Sequence, residues 1–305
     1  MAQTSPVKLT SEIICIMKQK AYKAYGHSSV KRSAHTATLA TLKGYLKVEE
    51  HLPDQLKVGV FKTPEVYPVW IRISNSSNKV KNDTKKDVRG LAIQLQIEDK
   101  LQDFILVSTK YMPLRDLQGF HAILSLLNGS HPIRSLMTLL SHLHVPSALK
   151  LLLTMRHESS PLDIPYFSIT PYRFGNDIVK YTLIPTSGYQ SRRPVRLTPT
   201  YLRDNMKRHL TNQCATFNLM IQRRTKGMSI EDASDLWDEK ASPLIKVGEI
   251  IIKPQQFDKP SRRRLGERLT FSPGHSLKVH APIGTLNAAR IIIYKQMQKF
   301  RKEHR

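Results

Sequence analysis

The sequence predicts an α+β protein whose core is a closed or nearly closed antiparallel sheet. Three observations lead there. Short strand-like segments fill residues 38–110 and resume at 165–185. A leucine-rich helical stretch, 116–157, separates the two runs. A further helix ends the chain, from about Leu286 to Arg305.

Taken in order, residues 5–25 carry apolar side chains at helical spacing, with Ser11 as the expected cap. Residues 1–30 are therefore read as an N-terminal helical arm, and 31–305 as one domain. Strand signals follow at Tyr45–Val48, Val58–Phe61, Val66–Ile73, Gly90–Ile97 and Asp103–Val107. Between them, Asn75–Lys86 is too rich in Asn, Ser and Lys for a buried strand. The 116–157 stretch is broken at Asn128-Gly129, Pro132 and Pro146, and its His and Arg residues argue against a membrane span. One of its faces is available to a membrane or a partner, although core or dimer packing is the commoner use. Residues 165–185 turn at Gly175-Asn176. Residues 197–209 read as a helix, Phe217–Gln222 and Glu249–Ile252 as strands, and Ile230–Trp237 as a short helix or turn.

The chain has 305 residues, enough for a core that encloses a cofactor. Its unusual property is charge: 48 Lys and Arg against 24 acidic residues, a net +24. Such a surplus favours anionic partners, including an anionic membrane surface, or reflects only a solvated basic surface. The cations are spread out, with clusters at Lys79–Lys86, Arg262–Arg264 and Lys299–Arg305. No helix-turn-helix, zinc-finger or aromatic-plus-basic pattern accompanies them, so nucleic-acid binding is disfavoured. Cys15 and Cys214 stand alone, outside any CxxC or Cys/His cluster, which suits a reducing compartment. The N-terminal apolar run is too short and too charged on both sides for a secretory signal, so a cytoplasmic location is expected, with or without peripheral membrane contact.

Four groupings bear chemistry. Arg32 and His35 precede the first strand; alone, they read as a basic loop. Arg72 and Ser74 share one face of a strand; an inward Arg72 needs an anionic partner such as a carboxylate or a cofactor propionate, and otherwise it faces solvent from an edge strand. Asp87-Val88-Arg89-Gly90 reads as a structural turn. Arg290 and Tyr294 lie four apart on one helix face. A guanidinium beside a phenol favours the phenolate, a hard ligand for ferric iron.

Their order and surroundings resemble the catalase superfamily. HTATLATLKGYLKV, from His35, looks like the segment carrying the distal histidine. Phe61–Gly90 is similar to the catalase run with R-x-S and, after a polar loop, D-x-RG. Asp103–Asp116 resembles the segment ending in an Arg-Asp pair, with Phe120 just beyond. SITPYRFGNDIVKYTLIP (168–185) and the terminal LTFSPGHSLKVHAPIGTLNAARIIIY (269–294) resemble small catalase-like proteins. The resemblance covers about residues 30–300 and points to a minimal branch: an antiparallel β-barrel, a helical insertion and a C-terminal haem-ligating helix.

It implies ferric haem b with Tyr294 as the proximal iron ligand and Arg290 stabilising the phenolate. His35 is then the distal base and Ser74 fixes its tautomer. Arg32 and Arg72 pair with the propionates, and Phe120 lies near the macrocycle. Two departures stand out. Ser108 occupies the place of the usual distal asparagine, and Gly274 a place where small relatives often have Trp. The implied activity is peroxide metabolism, of catalase or peroxidase type, on hydrogen peroxide or organic hydroperoxides. The alternatives are conversion of fatty-acid hydroperoxides, as by allene oxide synthases, and haem binding with little turnover. A homo-oligomer is compatible with either.

Overall fold

A computed structural model of the chain describes residues 5–26, 30–77 and 82–304. Residues 79–81 of the basic cluster at Lys79–Lys86, and Arg305, lie outside the described residues.

Among the described residues, nine antiparallel strands form one sheet. They are β1 (Thr38–Val48), β2 (Val66–Asn75), β3 (Arg89–Ile97), β4 (Lys100–Val107), β5 (Tyr166–Phe167), β6 (Tyr172–Phe174), β7 (Asp177–Pro185), β8 (Ala215–Arg223) and β9 (Leu244–Ile252). The order is β5-β4-β3-β2-β1-β9-β8-β7-β6, and β5 also pairs with β7. That second pairing closes eight strands into a barrel and leaves β6 as a flap on β7. Closure removes the exposed edges that an open sheet would present.

Alternate residues of each strand fill the barrel. Leu42 and Leu46 of β1, Ile71 and Ile73 of β2, and Leu219 and Ile221 of β8 are all fully buried. An aromatic group occupies the interior: Phe61 stacks on Phe174 at 5.3 Å and Phe104 meets Tyr181 edge-on at 5.0 Å. Such pairs add about 0.5–1.5 kcal/mol each beyond their burial.

Among the described residues, seven α-helices lie outside the barrel: α1 (Pro6–Tyr25), α2 (Leu117–Leu127), α3 (Pro132–His142), α4 (Val145–Thr154), α5 (Tyr201–Asn212), α6 (Pro260–Arg268) and α7 (Thr285–Glu303). The breaks in the leucine-rich stretch fall where expected, since Pro132 and Pro146 each open a helix rather than interrupt one. α1 packs on α2 and α7 through Leu9, Ile13, Leu286 and Ala289, and Tyr22 meets Phe300 edge-on at 5.0 Å.

Two expectations need correction. The cap of α1 is Ser5, whose hydroxyl accepts from the Lys8 amide; Ser11 lies inside the helix and bonds back to the Val7 carbonyl. Val58–Phe61 is no strand. Gly59 turns it through φ +52°, Gly59–Phe61 forms a 3-10 turn, and the Val60 amide donates to His280 Nε2 at 3.1 Å. Of the two readings of Ile230–Trp237, a short helix or a turn, the structure has turns. β1 begins at Thr38, where the strand-rich stretch is expected to start, and Tyr45–Val48 is its end.

Candidate functional site

One cavity lies between the barrel wall and α7, with about 840 Å³ of empty space counting its open mouth. The sheet wall contributes Arg72, Ser74, Gly90 and Ala92, with His35 ahead of β1. The helix wall contributes Ile293, Tyr294, Met297, Gln298 and Arg301.

Register builds the sheet wall. Ser74 of β2 pairs directly with Gly90 of β3. Gly90 leaves the space that the imidazole of His35 fills, because a Cβ there would stand 2.4 Å from its Nδ1. His35 Nδ1 and Ser74 Oγ share a hydrogen bond of 3.1 Å. The backbone of His35 is left-handed, φ +53°, an uncommon conformation for a residue with a side chain. Arg72 holds it there, donating from one nitrogen to the His35 carbonyl at 2.6 Å and to Thr38 Oγ1 at 2.9 Å.

Burial, then the charges of Arg72 and Arg290, push the His35 pKa down to about 4. The imidazole is therefore neutral at ordinary pH and has a lone pair to offer.

Arg290 is half-buried behind Tyr294. It donates to Thr170 Oγ1 at 2.8 Å and Asn287 Oδ1 at 2.9 Å. Burial disfavours its charge, but the facing phenols of Tyr172 and Tyr294 outweigh that and raise its pKa. Asn287 anchors this end of α7, donating to the Pro171 and Ile283 carbonyls. Tyr294 is thus presented to the cavity by a helix fixed to the barrel.

Cations outnumber anions around the cavity. Arg32, Arg72 and Arg301 line it. Glu267, outside the lining and half exposed, pairs with Arg32 at 3.0 Å. Arg32 also donates to the Gly266 and Leu269 carbonyls. Buried Arg72, expected to need an anion, is bonded to neutral oxygens, and burial lowers its pKa to about 10. Burying guanidinium groups in this way is costly unless a ligand supplies negative charge.

Five of the eight sequence-derived site residues therefore line one cavity: Arg32, His35, Arg72, Ser74 and Tyr294. Arg290 stands directly behind. Ser108 is not among the lining residues; its Oγ accepts from the Arg89 amide at 2.8 Å and serves the β3–β4 end. Phe120 is also outside the lining, packed with Met17 and Ile293 in the α1–α2–α7 core. The Asp87 turn is structural as expected, accepting from the Ser76 hydroxyl and the Ser77 amide. Sequence reasoning missed Met17 of α1 and Arg301. Arg301 lies seven residues after Tyr294, two turns on along the same helix face, a spacing concealed inside a basic terminal cluster.

The fold is that of the catalases. Catalase A from Saccharomyces cerevisiae superposes with a TM-score of 0.70 at 16% identity, over 89% of this chain and 61% of that one. A bacterial catalase gives 0.68 at 18%, over 95% and 60%. A fungal catalase gives 0.68 at 18%, over 89% and 59%. The chain thus matches about three-fifths of the length of these catalases. No protein-family model matches the sequence, and neither does any curated protein.

Proposed function

We propose that the cavity holds haem and that the protein is a peroxide-metabolising oxidoreductase. The observation that carries this is the pairing of walls. A half-buried, neutral histidine stands on the sheet wall, and a tyrosine backed by a half-buried arginine stands on the helix wall of the same cavity.

The residues present fit the group. Leu91, Ile105, Leu106 and Phe271 supply apolar walls for a macrocycle. Arg32, Arg72 and Arg301 suit two propionates. Tyr294 supplies the phenolic oxygen that would hold the iron, and Arg290 would balance its charge. Bound there, haem supplies the redox chemistry that cleaves a peroxide O–O bond.

The chain's own residues manage the proton. With the Ser74 hydroxyl aimed at the Gly90 carbonyl, 3.5 Å away, its oxygen accepts from Nδ1–H of His35. That tautomer leaves the lone pair on Nε2. Nε2 then takes the hydroperoxide proton and returns it to the departing oxygen, as base and then acid. Arg72 keeps the imidazole in place through the His35 carbonyl.

A specific feature favours an organic hydroperoxide over hydrogen peroxide. Among the described lining residues, the one side-chain amide is Gln298, on the helix wall, where it donates to the Phe271 carbonyl. Among the described residues, the sheet wall of the cavity beside His35 carries no side-chain amide that would orient a second small peroxide. The test is consumption of hydrogen peroxide and of a fatty-acid hydroperoxide by haem-loaded protein and by His35→Ala. The proposal expects turnover of at least one, favouring the lipid, and loss of about 10²-fold or more in the variant. Haem retention with neither consumed would reduce the proposal to haem binding.

A further inference from the structure

The consecutive leucine-rich helices α3 and α4, of which α3 packs back on α2, turn their apolar sides outward. In each helix the buried residue is a serine, Ser135 in α3 and Ser147 in α4. The exposed face of α3 carries Ile133, Leu136, Met137 and Leu140, spaced i, i+3, i+4, i+7. That of α4 carries Val145, Leu149, Leu152 and Leu153, spaced i, i+4, i+7, i+8. With Leu127 at the end of α2, these are nine of the seventeen large apolar side chains exposed among the described residues. Apolar side chains scattered singly over a surface need no explanation, whereas a concentrated, helically spaced face marks something it binds.

Charge identifies the partner. From Leu117 to His157 the chain contains no Asp or Glu. Its charged side chains are Arg134, Lys150 and Arg156, all exposed. The Asn128–Gln19 hydrogen bond (3.1 Å) brings the end of α2 beside α1, which adds Lys20 and Lys23. An apolar face that carries no carboxylate of its own and is bordered by Arg134 and Lys150, with Arg156 paired to Glu158 at 3.2 Å, matches an anionic bilayer surface: side chains enter the acyl boundary while Lys and Arg meet the headgroups. A second copy of this chain fits worse, since each carries +24 and the two faces would bring like charges together. No helix among the described residues is long and apolar enough to cross a membrane, so the mode is lying on the surface, not spanning.

We propose that the α3–α4 face docks the protein onto anionic lipid bilayers. The proposal is independent of what the cavity holds. The test is sedimentation of the whole chain with vesicles of phosphatidylcholine alone and of phosphatidylcholine with phosphatidylglycerol. A quadruple variant, Met137→Glu, Leu140→Glu, Leu149→Glu and Leu152→Glu, is compared throughout. All four sites are exposed, so the variant's circular dichroism and melting temperature check that it still folds. The expected result is binding to the anionic vesicles, weakened by salt. Affinity for them should exceed that for the neutral vesicles by roughly tenfold or more and fall by a similar factor in the variant. Absence of binding overturns the proposal. So does binding that the variant retains in full, which would be charge attraction elsewhere on the surface. A wild-type dimer that the variant converts to a monomer would assign the face to a second copy and likewise overturn it. Should the quadruple variant fail to fold, Leu140→Glu with Leu152→Glu provides the same comparison.

Discussion

Replacing Gly90 with alanine should disable the imidazole without disturbing the helix wall. The added Cβ would lie 2.4 Å from His35 Nδ1, 2.5 Å from Cε1 and 2.9 Å from Ser74 Oγ. Ordinary contact requires about 3.5 Å or more, so the ring must move by roughly 1 Å. It cannot move freely, because Arg72 clamps the His35 carbonyl and the β2–β3 register fixes Ser74 opposite residue 90. The backbone at Gly90 is not left-handed, so the effect is steric. Overpacking of this kind costs about 1–3 kcal/mol. A misplacement of about 1 Å at a proton-transfer group costs about 10²-fold in rate. Haem uptake should persist, since Tyr294, Arg290 and Arg301 are on α7 and the added methyl meets His35 and Ser74, not Arg72 or Arg32. The assay is peroxide turnover per haem, with the thermal melt of the same sample. Wild-type turnover in Gly90→Ala would refute the assignment of His35 as the base, and lost haem would refute the separation of the two walls.

Three further outcomes follow from the same geometry. Ser74→Ala removes the bond that orients His35 and should lower turnover about tenfold, with the haem spectrum unchanged in titrations of the apoprotein. Arg290→Met breaks bonds to Thr170 and Asn287 and leaves buried Tyr172 facing no cation; the apoprotein should lose about 3 kcal/mol, read by denaturant unfolding. Acid should destabilise the apoprotein in a defined window. His35 and His280 are both pushed down to about 4 by burial, from 6.5 when unfolded. Their contribution is complete above pH 6.5 and is lost as the pH falls to 4, about 3 kcal/mol for each. Asp103, whose pKa burial raises, works in the opposite direction over part of that range. A melting temperature independent of pH between 6.5 and 4 would count against neutral histidines.

Much of the barrel was legible because its strands alternate. β2, β3 and β7 present regular apolar faces, and the terminal helix repeats Leu286, Ala289, Ile293, Met297 and Phe300 at helical spacing. What escaped has physical reasons. Residues 58–61 look like a strand by composition, but Gly59 takes a positive φ and the ring of His280 occupies the space where its Cβ would be. α6, SRRRLGER after its proline, lacks an apolar face and holds to β1 through Gly266 against Thr41. At the site, Arg290 and Tyr294 were legible from their spacing of four, and Arg72 and Ser74 from strand alternation. Their convergence with His35 depends on the β1–β2–β3 register, which no local pattern encodes. Ser108 follows the same logic in reverse: alignment placed it beside the distal histidine, whereas its hydroxyl accepts a backbone amide.

The central claim is that Tyr294 holds haem iron in the cavity beneath His35. The most direct test is the absorption spectrum of protein purified with haem supplied, beside Tyr294→Phe prepared identically. The account predicts stoichiometric haem with a ferric tyrosinate-type spectrum in the wild type, and loss of that spectrum in the variant. Absence of haem uptake by the folded wild type, or an unchanged spectrum in Tyr294→Phe, would contradict it.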